Sequence, residues 1–336
     1  TPVASMDPND KQGPSGSGKS HFIPSLSKMP YTIRFENVAT ASAPAQTVEI
    51  IDTLDLNVFD PNTFVLGGIQ VGDRTISVPF GLQQYNADIN LAPANNLLLR
   101  IQATFNKTTG IAHWLFTSID PLTLEPTTDP MAGFLPPNVN SPEGEGAVVY
   151  TIKLREPVAN GIVIQNKAYI YFDQNNPIVT NNWKNTVDIV KPVSHVKTLP
   201  ATQFNDLNIK VGWTGTDAGS GISLYSVYYA VNGGAFKVLA SNVKDTTLTL
   251  VGKRDSTYSF FCVATDSAGN VEDMKTAAEA TIQLKASGLE SNTWQVPDVR
   301  VFPNPNRGEF TVAVNTPSGG QYTIRVCDVT GRLISE

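Results

Sequence analysis

The chain has 336 residues, of which 41% are hydrophobic, and 24 Lys and Arg against 30 Asp and Glu give a formal net charge of -6 at pH 7. This length and apolar content suffice for two or three domains with ordinary cores, which excludes a disordered tail. The mild acidity, without a basic cluster interleaved with aromatic residues, argues against nucleic acid as a partner. The sequence has no apolar run long enough to cross a bilayer, and its first residues lack the basic end and apolar middle of a signal peptide.

Nearly all apolar segments are short, rich in Val, Ile, Thr, Tyr and Phe, and bounded by Gly, Pro, Asn or Asp, which is typical of strands and turns. In chain order, the first predicted strands are YTIRFENV, QTVEIIDTL, DRTISVPF, LLLRIQATFN, AVVYTIKLRE and GIVIQNKAYIYF. Helical periodicity is nearly absent. The sequence therefore predicts an all-β fold of tandem antiparallel sandwiches, the first of them over residues 1–190.

A change of composition marks the end of this first unit. Two prolines flank an extended stretch in DIVKPVSHVKTLP, residues 188–200, as in a linker. About five to seven further strands are predicted over residues 191–286, which is the size of an immunoglobulin-like domain. A polar linker at residues 287–297 leads to a last unit at residues 298–336, whose two or three strands are too few for a core of their own.

The residue types that most often carry catalysis or bind transition metals are few and dispersed. His21, His113 and His195 are widely separated and show no metal-binding spacing. Cys262 and Cys327 fall in different predicted domains, so no disulfide is inferred, and both are interpreted as small buried residues. No nucleophile elbow or C-x-x-C motif is present, and the region is interpreted as non-enzymatic.

One stretch matches a nucleotide-binding pattern. In GPSGSGKS, residues 13–20, the defining places are taken by Gly13, Gly18, Lys19 and Ser20. A phosphate-binding loop requires a buried strand before it and a helix after it. The preceding residues are polar, and two prolines stand where the helix would have to run. We interpret the match as chance and predict no nucleotide site.

The C-terminal unit contains two linked motifs, VFPNPNRGEFTV and YTIRVCDVTGRL. Their defining residues are Pro303, Asn304, Pro305 and Gly308 in the first, and Asp328, Gly331 and Arg332 in the second. Pro-Asn-Pro fixes two φ angles and withholds two amide donors, which predicts a rigid extended bend between strands. The unit resembles the C-terminal sorting domain of proteins exported by the type IX (Por) secretion system of Bacteroidetes.

This resemblance implies a route and a set of partners. The protein would cross the periplasm, engage the type IX translocon and sorting machinery, lose the domain, and be attached to surface lipopolysaccharide or released. Its expected location is therefore extracellular or on the outer cell surface. Members of the family usually continue through another turn and a last strand, so the sorting domain is expected to be truncated at Glu336.

Two further resemblances cover the rest of the chain. The first 190 residues, from DPNDKQGPSGSG to AYIYFDQNNPIVTNNWKNTVD, look like a domain that commonly precedes such sorting signals in large secreted proteins of the same bacteria. This resemblance implies no enzymatic activity for the region. The middle unit, with VGWTGTDAGSGISLYSVYYAVNGGAF and YSFFCVATDSAGNVE, is similar to fibronectin-like or Ig-like modules that link such domains.

Oxygen-bearing side chains lie near both ends of the first predicted domain. Asp7 and Asp10 stand near its start, and Asp173 and Asn175 near its end. Such oxygen ligands suit Ca²⁺, which makes a calcium site one hypothesis. The alternative is capping, in which these side chains accept hydrogen bonds from nearby backbone amides.

The second predicted domain poses the same choice, and it also carries candidate modification sites. Asp217 in TDAGSG and Asp266 in TDSAGNVE each precede small residues, and loop capping is preferred over metal binding there. Secreted proteins of this bacterial group often carry O-glycans on Asp-Ser/Thr-small or aliphatic patterns. The candidates in this chain are Thr53, Thr246 and Ser267.

We therefore interpret the chain as a non-catalytic stalk or spacer with an export signal, with no cofactor other than calcium. One alternative is an adhesin or carbohydrate-binding module that takes a glycan or protein ligand. Its platform would use Trp213, Tyr225, Tyr228 and Tyr229, for which a core role is the default. The other alternative is the accessory tail of a larger secreted hydrolase.

Overall fold

The structure is a computed structural model that describes residues 9–25, 28–93, 95–286, 298–304, 308–315 and 323–335. Asp7, Pro305 and the expected linker at residues 287–297 lie outside the described residues. The described residues form strands and turns without a helix, which confirms the all-β fold class. Among them, no helix is therefore available that could span a membrane.

The first sandwich is built from strands β1 to β14. Their bounds are β1 Lys11–Gln12, β2 Phe22–Ile23, β3 Lys28–Glu36, β4 Thr47–Thr53, β5 Phe59–Val71, β6 Arg74–Ile76, β7 Gln84–Asn90, β8 Leu98–Asn106, β9 Ile111–Ile119, β10 Glu145–Leu154, β11 Val163–Asn166, β12 Ala168–Phe172, β13 Ile178–Val179 and β14 Trp183–Val187.

These strands form two large sheets and a small one. The strand order is β1-β3-β10-β5-β6 in the first large sheet and β13-β12-β4-β9-β8-β7 in the second. The small sheet has the order β11-β14-β2. Pairing is antiparallel within both large sheets, as the sequence predicts, but β2 and β14 run parallel.

Alternation of side chains along the strands builds the core between the two large sheets. In β3, every second residue is buried, including Tyr31 and Ile33, while the residues between them are partly exposed. In β4, the inward positions are taken by Val48, Ile50 and Asp52. Because side chains of a strand point alternately to its two faces, Asp52 occupies a place where an apolar residue would be expected.

The second sandwich follows within a few residues. Its strands are β15 Val193–Val196, β16 Thr202–Phe204, β17 Asn208–Thr216, β18 Ile222–Val231, β19 Lys237–Val243, β20 Thr247–Val251, β21 Thr257–Asp266 and β22 Ala280–Lys285. They form one sheet of order β15-β17-β20 and one of order β16-β22-β21-β18-β19, in which β16 and β22 run parallel. Trp213, Phe260 and Ile282 are among the residues of their separate core.

The C-terminal part consists of two hairpins. Their strands are β23 Asp298–Phe302, β24 Thr311–Asn315, β25 Val326–Cys327 and β26 Leu333–Ser335. β23 pairs with β24, and β25 pairs with β26, both antiparallel. Each of the two predicted motifs therefore spans a turn between two paired strands.

Candidate functional site

The first motif lies at the connection between β23 and β24. Pro303 and Asn304 follow β23 directly and are exposed, and Gly308 has a φ of 109°, which an L-residue with a side chain rarely adopts. Pro305 is outside the described residues. Val301 and Phe302, just before the motif, are 42% and 52% exposed, so this hairpin presents apolar side chains together with the proline-containing bend.

The second motif forms the turn between β25 and β26. The carboxylate of Asp328 accepts hydrogen bonds from the backbone N–H and the hydroxyl of Thr330, at 2.8 and 2.7 Å, and from the backbone N–H of Arg332 at 3.0 Å. These hydrogen bonds, above all that of the Thr330 hydroxyl, lower the pKa of Asp328. Gly331 has a φ of 83°. The Asp, the hydroxyl residue and the Gly are thus the groups that this tight turn requires.

A charged pair lies in the core of the first sandwich, between the two large sheets. Lys11 on β1 and Asp52 on β4 have fully buried side chains, and Lys11 Nζ donates to Asp52 Oδ2. Tyr150 on β10 accepts a hydrogen bond from Lys11 Nζ at 3.2 Å and donates to Asp52 Oδ2 at 2.7 Å. Asn166 Nδ2 donates to the same hydroxyl at 2.9 Å. These residues form one hydrogen-bonded group, which we call the Lys11 cluster.

Aromatic rings surround the Lys11 cluster. Lys11 Nζ lies 4.9 Å from the ring centroid of Tyr31 and 5.5 Å from that of Tyr150, and the two rings stack at 5.2 Å. Burial lowers the pKa of Lys11 from its ordinary 10.5 to about 8, although the charge of Asp52 opposes this shift. Burial likewise raises the pKa of Tyr150, as does the nearby charge of Asp52.

The sequence analysis did not find the Lys11 cluster. Lys and Asp are rarely fully buried, so Lys11 and Asp52 read as surface residues of a loop and a strand. The signal that could have located one of them is the alternation of Val48, Ile50 and Asp52 in QTVEIIDTL, because it assigns Asp52 to the inward face. No comparable pattern surrounds Lys11, since β1 is only two residues long.

A second polar group lies at one edge of the second sandwich. Glu272 accepts hydrogen bonds from the backbone N–H groups of Ser194 on β15 and Ala264 on β21, at 3.0 and 2.9 Å. Glu279 does the same for Val196 and Cys262, both at 3.0 Å. The two glutamates therefore bridge strands that belong to different sheets. We call them the glutamate bridges.

The two cysteines differ from each other in their surroundings. Cys262 is buried, as expected, and burial raises the pKa of its thiol to about 11, so it is not a reactive thiolate at neutral pH. Cys327 is exposed in the last hairpin. The expectation that both are buried is wrong for Cys327, because the short hairpin of β25 and β26 leaves it without a covering layer. Neither forms a disulfide.

Three carboxylates meet where the two sandwiches join. Carboxylate oxygens of Asp188, Asp217 and Asp266 lie within 4.8 Å of one another, and Asp188 and Asp266 are buried. Asp217 Oδ2 accepts from the amides of Gly219 and Gly221, which is the capping role that the sequence analysis preferred. Asp217 Oδ1 is buried and has no hydrogen-bond partner among the described residues. Oxygen ligands of this kind suit a hard cation.

The capping interactions of this group account for most of its remaining oxygens. Asp266 Oδ1 accepts from the amides of Gly269 and Asn270 at 2.7 and 2.8 Å. Asp188 Oδ1 accepts from the amide of Val190, and Asp188 Oδ2 accepts from that of Ser220. These two carboxylates are therefore explained as loop caps.

The residues of the calcium hypothesis in the first sandwich have other partners. Asp10 pairs with Arg34 at 3.1 Å, and Asp173 Oδ1 accepts from the backbone amides of Gln46 and Thr47 at 2.9 and 2.8 Å. Asn175 is exposed, and Asp7 is outside the described residues. In the described part of the chain, the group of three or more potential metal ligands is the one around Asp188 instead.

The segment that matches the nucleotide pattern forms a small β-hairpin. A short strand, β1, does precede Gly13, but a bridge between Ser17 and Phe22 folds the segment back, and β2 follows instead of a helix. Lys19 and Ser20 are exposed. The segment thus lacks the helix N-terminus that would bind phosphate.

The dispersed histidines and the modification candidates lie on the surface or in strands. His113 Nε2 is 2.8 Å from Glu49 Oε1, on the neighbouring strand β4. Thr53, Thr246 and Ser267 are exposed, so their O-glycosylation stays a prediction. In the second sandwich, Trp213 is buried in the core.

The tyrosines of β18 divide between the two faces of their sheet. Tyr225 is buried and Tyr229 packs against the same core, whereas Tyr228 stacks on Phe261 at 4.7 Å on the opposite face. They therefore do not form one continuous exposed strip.

Comparisons with known proteins identify two segments. Residues 300–336 match the secretion system C-terminal sorting domain. Residues 7–96 and 131–186 match a domain of unknown function, DUF7619. No match was found among curated proteins. The sorting domain contains both motif turns, and the second match contains all four residues of the Lys11 cluster.

Among solved structures, the chain is similar to a collagen-binding domain from a Staphylococcus aureus adhesin, with 9% identity and a TM-score of 0.28, over 55% of this chain and 99% of that one. It is also similar to BcpA, the major pilin subunit of Bacillus cereus, with 11% identity and a TM-score of 0.29, over 82% of this chain and 69% of that one.

A third similar structure is that of the Corynebacterium diphtheriae major pilin SpaA, which points to a modular pilus assembly stabilizing isopeptide bonds. The identity is 10% and the TM-score 0.30, over 84% of this chain and 68% of that one. The chain thus carries, at residues 300–336, the C-terminal sorting domain of a type IX secretion substrate, preceded by β-sandwich domains.

Proposed function

We propose that this chain is the non-catalytic stalk and export-signal region of a protein that the type IX system delivers to the cell surface or the medium. The match of residues 300–336 to the sorting domain supports the export part of this proposal. The sandwiches would hold a functional region clear of the envelope, as a spacer does. Attachment to surface lipopolysaccharide would follow from removal of the sorting domain, and the translocon and sorting machinery are the partners.

The observation that carries the stalk role is the short, bonded junction between the sandwiches. Only residues 188–192 separate β14 from β15. Asp188 donates its backbone N–H to Ile23 of the first sandwich and accepts from Ser220 of the second, at 2.9 and 2.7 Å. Its backbone oxygen also accepts from Asn270 Nδ2 at 2.9 Å. A junction with hydrogen bonds on both sides supports a stiff spacer rather than two freely jointed domains.

The export part is tested on the turn of the second motif. In the protein expressed from its own gene in a type IX-competent host, Gly331→Val would force a β-branched residue into a φ of 83°. We expect the wild type at the cell surface or in the medium, and the variant in the periplasm, as measured by fractionation and surface proteolysis.

The matched control is Gly233→Val, at another exposed hairpin glycine, with a φ of 73°. Neither glycine has a neighbour that an added Cβ would meet. Export should continue in this control. Equal export of the wild type and Gly331→Val would contradict the role of the motif, as would equal retention of the two hairpin variants.

One observation favours the adhesin alternative from the sequence analysis. A cleft of about 380 Å³ lies at one end of the first sandwich, and an adhesin would present its ligand site at such loop ends. Residues that line it include Arg74, Leu91, Phe134, Asn140 and Glu143. Calcium binding and an accessory role beside a hydrolase likewise stay predictions.

A further inference from the structure

The residues of the Lys11 cluster belong to neither the sorting motifs nor the junction, and their geometry brings an amine and a carboxyl group together. Lys11 extends from β1 in one large sheet, and Asp52 from β4 in the other. Both side chains are completely buried, so packing fixes their mutual position. Because the amine and the carboxyl group are already held in contact, they do not have to meet by diffusion before they react.

Burial favours the uncharged form of Lys11. The lowered pKa of Lys11, about 8, makes a useful fraction of free amine available near neutral pH. Asp52 Oδ1 is buried without a hydrogen-bond partner among the described residues, and a buried polar atom without a partner is costly. A reaction that removes both charges from the core would relieve this cost.

Tyr150 is placed to move a proton between the two groups. Its hydroxyl accepts from Lys11 Nζ at 3.2 Å and donates to Asp52 Oδ2 at 2.7 Å, so it touches both reacting side chains. Asn166 Nδ2 donates to the hydroxyl oxygen of Tyr150 at 2.9 Å and thereby orients the hydroxyl. The hydroxyl can take a proton from the amine while giving its own to a carboxyl oxygen.

We propose that Lys11 and Asp52 condense into an intramolecular isopeptide bond that joins the two large sheets of the first sandwich. Lys11 Nζ attacks Asp52 Cγ, a C–N bond forms, and one C–O bond of the carboxyl group breaks. Starting from ammonium and carboxylate, two protons of the nitrogen depart with the leaving oxygen as one water. The product is a neutral amide, and no oxidant or co-reactant is needed.

The position of the bond suits a structural cross-link. Lys11 belongs to β1, an edge strand near the start of the described chain. The side chain of Asn181 already pairs with the backbone N–H and C=O of Lys11, at 2.8 and 2.9 Å. Because both side chains are inaccessible, water cannot reach the amide to hydrolyse it unless the sandwich opens.

The test is the intact mass of the full chain under denaturing conditions. We expect a mass about 18 Da below that of the sequence, the loss of one water. Trypsin does not cleave after an acylated lysine, so the digest should contain a branched peptide in which residues 1–19 are joined to residues 35–74. Fragmentation of this peptide should place the branch at Lys11 and Asp52.

Two variants serve as controls. Lys11→Met with Asp52→Leu replaces both partners by apolar residues, so no buried charge is left alone and the variant should fold. It should show the full sequence mass. Lys191→Met disrupts the exposed pair of Lys191 and Asp273 and should keep the mass deficit of the wild type.

Two results would overturn the proposal. One is a wild-type chain of full sequence mass, with cleavage after Lys11 to release residues 1–11. The other is a mass deficit carried by a linear peptide, which would indicate dehydration of a single aspartate instead of a cross-link. Neither result bears on export, because the sorting motif lies outside the sandwich concerned.

Discussion

Individual charged side chains tie the sheets of both sandwiches together. In the second sandwich, the glutamate bridges connect backbone amides of β15 and β21, which belong to different sheets. Lys275 pairs with both Glu272 and Glu279, at 3.1 and 2.7 Å. The two glutamates thus connect two strands that do not pair with each other. The charge of Glu272 therefore matters for the stability of the second sandwich.

The charge of Glu272 is expected to stabilise the second sandwich at neutral pH. Burial acts to raise the pKa of Glu272, but hydrogen bonds from Ser194 and Ala264 and the contact with Lys275 lower it overall, below the ordinary 4.5. A carboxylate with a lowered pKa in the folded state stabilises the fold above pH 4.5, and this contribution is lost as the pH falls through the folded pKa. Glu272→Gln should therefore destabilise the second sandwich at pH 7 by about 1–3 kcal/mol.

The measurement is the melting temperature of the second sandwich, by calorimetry on the full chain between pH 7 and pH 3. The difference between wild type and Glu272→Gln should shrink below pH 4.5, since the wild type then loses the same charge. Asp245→Asn, at an exposed carboxylate of the same sandwich, should melt like the wild type throughout. A difference that stays constant with pH would contradict the role of the charge.

Sequence reasoning located the turn residues but not the buried charges. Asp328 and Gly331 could be found because their turn requires particular residue types. Asp217 and Asp266 were correctly interpreted as loop caps, yet their approach to Asp188 depends on how two sandwiches dock. Glu272 could not be found, because only tertiary packing distinguishes a bridging glutamate from a solvated one.

Among the elements, β10 shows how tightly the strands of the first sandwich approach one another. Gly146 lies on β10 opposite Phe35 of β3. A Cβ added to Gly146 would come within 2.1 Å of the Phe35 ring. Phe35 is buried and packs 5.6 Å from Phe116, centroid to centroid, so the ring has little room to move. The glycine is required here for space rather than for an unusual φ angle.

This contact leaves no room for a larger residue at position 146. Gly146→Ala should lower the free energy of unfolding of the first sandwich by about 1–3 kcal/mol, because the methyl group overpacks the core. The matched control is Gly68→Ala on β5, where the nearest atom to an added Cβ, at 3.9 Å, is the Ile76 oxygen. Denaturant unfolding should find Gly68→Ala as stable as the wild type or slightly more so. Equal stability of the two variants would contradict this account of Gly146.

One of the strands that sequence reasoning missed, β5, has an interrupted pattern. The predicted YTIRFENV and QTVEIIDTL correspond to β3 and β4 within a few residues. By contrast, β5 was not predicted, because Pro61, Gly67 and Gly68 interrupt FDPNTFVLGGIQV and read as turn signals. Its pairing with β10 shifts register twice along its length, which accommodates these residues. Local propensity could not reveal this, since the sheet partner decides it.

The whole molecule places two sandwiches in series before a sorting domain. In the spacer role proposed above, the chain would be pulled along its length. In the first sandwich, force would enter through β1, an edge strand paired with β3 over only two residues. A covalent bond from Lys11 to Asp52 would pass this force directly to β4, in the middle of the opposite sheet.

A bond between Lys11 and Asp52 should shorten the extension that the first sandwich releases when it is unfolded by force. Residues 11 and 52 are 41 positions apart, so a cross-link would withhold about 140 Å of contour length at 3.3–3.6 Å per residue. When the full chain is stretched between its ends by single-molecule force spectroscopy, the unfolding step of the first sandwich should be shorter by that amount in the wild type than in Lys11→Met/Asp52→Leu. The step of the second sandwich serves as an internal control and should be equal in both proteins. Equal first-sandwich steps would show that residues 12–51 extend freely in the wild type, which a bond between Lys11 and Asp52 does not allow.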